Sequence, residues 1–243
     1  MRFVIVAARR TGSNLLCTLL DSHPAILCHH ELFNPRGIFQ ALSRREGDFD
    51  LGTIAERDED PEAFLDRVWR EARGHPCVGF KMTCGQAEAT LRRVLGDRGV
   101  RKIVLHRRNR VKTWVSERMA EQLDQWEVYD EDALAAARPR LELGVRDLRE
   151  HLARNEAFYE RVEGSLEQSG QDFLRVDYED LWTPEQRTRL LDFLDVRAGG
   201  MALTPGSVKQ NPRDLRCVLA NFEELAEALR GDELRDELLD LES

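Results

Sequence analysis

The 243-residue chain reads as one α/β domain over residues 1–243, a central, mostly parallel sheet with helices on both faces. Three observations predict this. Phe3-Val4-Ile5-Val6-Ala7-Ala8 and Lys102-Ile103-Val104-Leu105-His106 are short apolar runs of the kind found in strands buried on both faces of a parallel sheet. Each is followed by a polar turn and then by apolar residues at helical spacing. The length allows one core of several covered strands, and no repeat or linker-like stretch divides it.

The first strand stops at Arg9-Arg10-Thr11-Gly12-Ser13-Asn14, and a helix resumes at Leu15-Leu16-Cys17-Thr18-Leu19-Leu20. Glycine admits a backbone N–H close to an oxyanion, and Thr11, Ser13 and Asn14 add short donors at the positive end of a helix, where phosphate or sulfate is stabilised. Those six residues fit equally a plain strand followed by a capped helix. A His23-Pro24 turn leads to Cys28-His29-His30-Glu31. The acidic stretch Arg57-Asp58-Glu59-Asp60-Pro61 reads as a turn before a helix near 61–73. Val78-Gly79-Phe80-Lys81-Met82-Thr83 is strand-like. Val111, Val115, Met119 and Leu123 form one helical stripe after the second strand, with Arg108 in the turn and Ser116 on another face. Leu141, Val145, Leu148, Leu152, Tyr159, Val162 and Leu166 predict one long helix over about 140–167, packed on the sheet. A last strand, 172–176, precedes a turn at Tyr178.

With 36 Lys and Arg against 45 Asp and Glu, the formal charge of −9 gives no general attraction to nucleic acid or anionic membrane. Residues 98–118 are the exception. They hold eight bases and one acid, a local +7 that leaves −16 elsewhere and suggests a small bound polyanion. The N-terminal residues lack the apolar segment of a signal peptide and no run approaches a membrane span, so the protein is expected in the cytoplasm. Five cysteines without CxxC spacing suit reduced, mostly buried thiols. Cys28-His29-His30 has no second ligand cluster to complete a metal site, and none is expected.

Four of these segments together resemble the sulfotransferases that use 3′-phosphoadenosine-5′-phosphosulfate (PAPS). Arg10-Thr11-Gly12-Ser13-Asn14 is similar to their 5′-phosphosulfate loop, with Asn14 where threonine is usual, and Arg108-Asn109 with Ser116 is similar to their 3′-phosphate motif. Val176-Asp177-Tyr178-Glu179-Asp180-Leu181 is similar to their Tyr-Glu-Asp-Leu segment. Lys209-Gln210-Asn211-Pro212 running to Asn221-Phe222-Glu223-Glu224-Leu225 is similar to the C-terminal segment of the bacterial carbohydrate and nodulation-factor branch. The resemblance covers residues 2 to about 230 and implies a P-loop-NTPase-like sulfotransferase fold and a PAPS donor, with the bisphosphate PAP as product and no obligatory metal. The acceptor it implies is a hydroxyl on a carbohydrate, glycolipid or small natural product.

The resemblance also assigns roles. Arg10 would face the leaving phosphate oxygen and Lys81 the sulfuryl oxygens; Tyr178 would meet the adenine and Lys209 would close over the 3′-phosphate. Glu31 lies at the offset of the catalytic glutamate in tyrosylprotein sulfotransferases, and burial is expected to raise its pKa toward that of a useful base. His30 is the rival base. The histidine of cytosolic steroid and phenol sulfotransferases lies near the lysine strand, where this chain has none, and His106 reads as a strand-end residue. Lys81 could also snorkel to solvent at a strand end. Two other classes remain: a P-loop kinase, which lacks its Gly-Lys-Ser/Thr here, and a non-catalytic nucleotide-binding protein on the same fold. Segments 33–60 and 122–137 are the expected acceptor loops.

Overall fold

A computed structural model describes residues 1–44, 50–127, 139–197, 203–206, 212 and 214–241. The five strands are β1 (Arg2–Ala7), β2 (Ile26–His29), β3 (Cys77–Thr83), β4 (Val100–His106) and β5 (Phe173–Asp177). They form one parallel sheet in the order β2-β3-β1-β4-β5, with β1 at its centre and Ile5 in register with both Lys81 and Ile103. The α/β architecture predicted from the apolar runs is present.

Alternation along β1 builds two cores. Phe3, Ile5 and Ala7 pack with Leu16, Leu19 and Leu20 of α1 (Ser13–Asp21) and with Leu190 and Leu191 of α7 (Pro184–Phe193). Val4, Val6 and Ala8 face the other way, against α3 (Pro61–Arg70), α4 (Glu88–Gly96) and α6 (Val145–Gln168). Burial on both sides is why the run shows no polar alternation. A third cluster joins α5 (Arg110–Leu123) to α8 (Phe222–Ala228) and α9 (Glu233–Leu239), with Val111 and Val115 meeting Phe222, Leu225, Leu234 and Leu238. The expected stripe on α5 is the one buried here.

Three expectations need correction. The long helix begins at Val145 and not near 140, because Gly144 caps it and Leu141 forms a bridge with Leu219 instead: Leu141 N–H donates to Val218 O and Ala220 N–H to Leu141 O, both at 2.7 Å. The acidic stretch 57–60 is not a simple turn. Arg57, Asp58 and Glu59 end a helix, α2 (Ile54–Glu59), opened by a Thr53–Glu56 capping box, and the Asp60 carboxylate caps α3 through Ala63 N–H at 2.9 Å. The last strand runs one residue later than expected, to Asp177.

Cys17, Cys28 and Cys77 are buried free thiols, Cys84 is half-buried and Cys217 exposed. Among the described residues no helix is long and apolar enough to cross a membrane.

Candidate active site

The turn after β1 carries two left-handed residues, Arg10 at φ 63° and Gly12 at φ 93°. Gly12 is required twice over, by its dihedral and by its neighbour, since a Cβ there would lie 2.2 Å from Cδ2 of Tyr178. No side chain caps α1, so the first N–H groups of that helix and the positive end of its dipole are left for a ligand. The Thr11 hydroxyl donates to Ala8 O at 2.8 Å, and Thr11 is buried away from the lining of the cavity. Thr11 therefore braces the loop, and Ser13 and Asn14 reach the cavity in its place.

That cavity encloses about 550 Å³, a volume usual for small-molecule and cofactor sites. Arg10, Gly12, Ser13, Asn14, Ser116 and Tyr178 line it together with Glu31 and Lys81. Residues from the turn after β1, from α1, the loop after β2, β3, α5 and the turn after β5 thus converge on one space. Arg10 Nε donates to Ser116 Oγ at 2.9 Å and its Nη1 to Trp126 O at 2.5 Å, so the first loop and α5 are tied directly. Burial, then the nearby charge of Arg107, lowers the pKa of Arg10 to about 10, which still leaves it a cation at neutral pH.

Lys81 does not snorkel outward. It is 2 % exposed, and its ammonium lies 3.1 Å from Glu31 Oε1, donates to Ser13 Oγ at 3.5 Å and contacts Asn14 Oδ1. Glu31 Oε2 accepts from Asn34 Nδ2 at 2.6 Å and from Gln86 Nε2 at 2.5 Å. Burial pushes the carboxyl pKa up, but the Lys81 charge and the three hydrogen bonds outweigh it, so Glu31 sits below its ordinary range. The expectation that burial would raise it is overturned by these partners. The same exchange holds Lys81 above its ordinary range: burial opposes the charge and Glu31 more than restores it.

His30 is fully buried and does not line the cavity; its Nδ1 lies 3.4 Å from Asn14 Oδ1 and 3.9 Å from Glu127 Oε1. Glu31, not His30, is the candidate base that faces the open space. His106 is a strand-end residue, stacked on Tyr159 and bonded to Glu163. Lys209 lies outside the described residues.

The basic island is largely answered within the protein. Arg108 is not beside Ser116: it bonds Asp180 at 2.8 and 3.0 Å and Asp177 at 3.3 Å, and does not line the cavity. Glu179 accepts from the backbone N–H of Arg108 and Asn109, and Glu237 from those of Arg110 and Val111. The N-terminus of α5, expected to hold an external anion, is therefore met by two of the chain's own carboxylates. Arg110 pairs with Glu233 and Glu237. Within the island it is Arg107 that lines the cavity, its guanidinium 4.7 Å over the Tyr178 ring and its Nη1 3.4 Å from Arg10 O.

Sequence reasoning missed Arg107, Asn34, Gln86 and Arg57. Arg57, 2 % exposed, donates from Nη1 to the carbonyls of Leu32, Asn34 and Gly37 at 3.0, 2.8 and 3.2 Å, and so fixes the loop that carries Glu31. Glu117, next to Ser116 and buried, bonds His151 at 2.8 Å and Arg154 at 2.5 Å and anchors α5 to α6 behind the site.

A parallel α/β sheet whose central strand leads into an uncapped helix, beside a cavity lined by Arg10, Lys81 and Arg107, has a geometry suited to an anion. No family model and no curated relative matches the chain. Among solved structures it is similar to the crystal structure of a sulfotransferase from Alicyclobacillus acidocaldarius, with a TM-score of 0.51 and 19 % identity over 98 % of this chain and 93 % of that one. The fold is shared along essentially the whole length.

Proposed function

We propose that the protein is a sulfotransferase that moves a sulfuryl group from PAPS to a hydroxyl of a carbohydrate, glycolipid or small natural product, with Glu31 as the base. One observation carries this reading. A carboxylate and a buried lysine meet, at 3.1 Å, in the cavity opened by an uncapped helix, whereas kinases of the P-loop type bring their lysine from the loop itself. The shared fold with a solved sulfotransferase supports it.

The residues fit the donor chemically. The α1 amides, Ser13 and Arg10 suit the 5′-phosphosulfate; Ser116 and Arg107 suit the 3′-phosphate; Tyr178 offers a ring for the adenine. Sulfuryl transfer asks for alignment, neutralisation of developing charge and removal of one proton. Lys81 and Arg10 neutralise the sulfuryl and leaving oxygens. Glu31 takes the acceptor's hydroxyl proton as the new S–O bond forms and the bond to the phosphate breaks. Asn34 and Gln86 hold the carboxylate in one orientation, and as Lys81 turns to the sulfuryl oxygens Glu31 regains basicity.

The test is binding followed by turnover. The chain should bind immobilised adenosine 3′,5′-bisphosphate and not ATP, and should transfer radiolabelled sulfuryl from PAPS to a hydroxyl-bearing acceptor panel with or without EDTA. Retention on ATP alone, or a strict magnesium requirement, would refute the reading.

A further inference from the structure

We infer that Tyr159 is a positioning residue for the anion-binding loop: its hydroxyl holds the ends of β1 and β4 apart and fixes the root of the loop between them. The sheet order reverses at β1, with β3 and β2 on one side and β4 and β5 on the other. Ligands of open α/β sheets enter at such crossover points, provided the two strands part there.

The register pairs Ala7 with Leu105. One step beyond, Ala8 N–H donates to Tyr159 Oη at 2.9 Å and the Tyr159 hydroxyl donates to Leu105 O at 2.6 Å. A phenol oxygen stands between a donor of one strand and an acceptor of the next. On the opposite edge of β1 pairing continues, Cys84 N–H donating to Ala7 O at 3.2 Å. The chain is thus released from β4 one residue before the loop and stays attached to β3.

Both backbone groups of Ala8, a fully buried residue, end on side chains, the N–H on Tyr159 and the carbonyl on Thr11. The next residues include Arg10 in the left-handed region, a conformation that persists in a bulky residue only where the surroundings fix it. Tyr159 is itself held. Its ring stacks on His106 with centroids 3.9 Å apart, His106 bonds Glu163 at 2.8 Å, and Arg175 lies 3.6 Å from Glu163. Tyr159 is not part of the cavity lining, so it acts through the loop and not on a ligand.

The effect on ligand binding rests on the donor reading above; the effect on the loop does not. Tyr159→Phe keeps the ring and removes the hydroxyl. Hydrogen exchange of the backbone amides of residues 9–14 should speed up at least tenfold, with β2 and α9 unchanged, and adenosine 3′,5′-bisphosphate should bind about tenfold more weakly by calorimetry. Unchanged exchange in 9–14, or a uniform rise over the whole protein, would overturn the inference, as would full bisphosphate affinity. A wild-type chain that fails to bind the bisphosphate refutes the donor reading instead, and the exchange pattern still decides on Tyr159. Should Tyr159→Phe not fold, His106→Gln removes the stacked ring beneath the phenol and its bond to Glu163 while leaving the phenol in place, and a smaller acceleration confined to 9–14 is expected; its absence counts against the inference equally.

Discussion

Replacing Glu31 by glutamine separates the role seen in the structure, counter-ion of Lys81, from the proposed one, proton acceptor. In the proposed role Glu31 would account for roughly 100-fold to 10,000-fold in rate, about 3–5 kcal/mol of barrier, which Glu31→Gln should remove from kcat while bisphosphate affinity stays close to wild type. As counter-ion, it neutralises an ammonium that is 2 % exposed. Breaking a buried ion pair costs about 3–5 kcal/mol, but Ser13 and Asn14 still accept from Lys81 and the glutamine carbonyl replaces one oxygen, so a loss of about 1–3 kcal/mol is expected. Thermal denaturation should show a fall of roughly 2–4 °C per kcal/mol. Lys81→Met in the Glu31→Gln background should recover part of that stability, since no orphaned charge remains.

The pH dependence follows from the direction of the shift. Glu31 has a lower pKa folded than unfolded, so its stabilising contribution is complete above the unfolded value of about 4.3 and is lost as pH falls through the folded one. With Glu31 as the proposed base, the carboxylate is ionised down to that range, and kcat/KM should hold its plateau to below about pH 4.3 wherever the protein stays folded. An acid limb centred near pH 6, or a Glu31→Gln variant with wild-type kcat, would refute the assignment, and a dead His30→Asn variant with full nucleotide affinity would transfer the role to His30.

Gly12→Ala meets Tyr178 at 2.2 Å as well as an unfavourable φ, and calorimetry should find bisphosphate binding abolished or the fold destabilised by a few kcal/mol. Arg107→Ala should weaken bisphosphate binding by about 2–4 kcal/mol, the loss of a charge-assisted contact from a buried site, and Arg108→Ala should do less because its fork is bound to Asp180 and Asp177. Equal losses would mean that Arg108 leaves its carboxylates when the nucleotide binds. Arg57→Leu removes three bonds to the carbonyls around Glu31 and should lower kcat about tenfold at unchanged bisphosphate affinity, as read by steady-state kinetics; an effect on stability alone would reduce Arg57 to a packing residue.

The sheet was legible because β1 and β4 are buried on both faces and leave unbroken apolar runs, and α5 because its stripe recurs every four residues. The Gly12 turn was legible for a similar reason, a glycine between short polar residues just before a helix. Where reasoning failed, the deciding interaction was distant in sequence. Arg107 and Arg108 are adjacent and chemically identical, and only the direction of the chain leaving β4 sends one over Tyr178 and the other to Asp180. Arg57 looked like part of a solvated acidic turn because its partners, the carbonyls of residues 32–37, have no side-chain signature. Leu141 fits the helical spacing of the residues after it, yet it pairs with a strand-like segment 78 residues on. The sign of the Glu31 shift depended first on the charge of Lys81, brought in by a different strand, and then on Asn34 and Gln86, whose arrival at one oxygen no spacing foretells.

The internal neutralisation of α5 also has an order in time. Synthesis runs from the N-terminus, so residues 98–118 leave the ribosome long before Glu233, Glu237 and Asp240 exist to answer them. Until α9 is made, Arg110 and Lys112 lack these carboxylates, whereas Asp177 and Asp180, the partners of Arg108, are already in the chain. Docking of α9 therefore does two things in one step: it packs Leu234 and Leu238 against α5 and brings Glu233, Glu237 and Asp240 to Arg110 and Lys112.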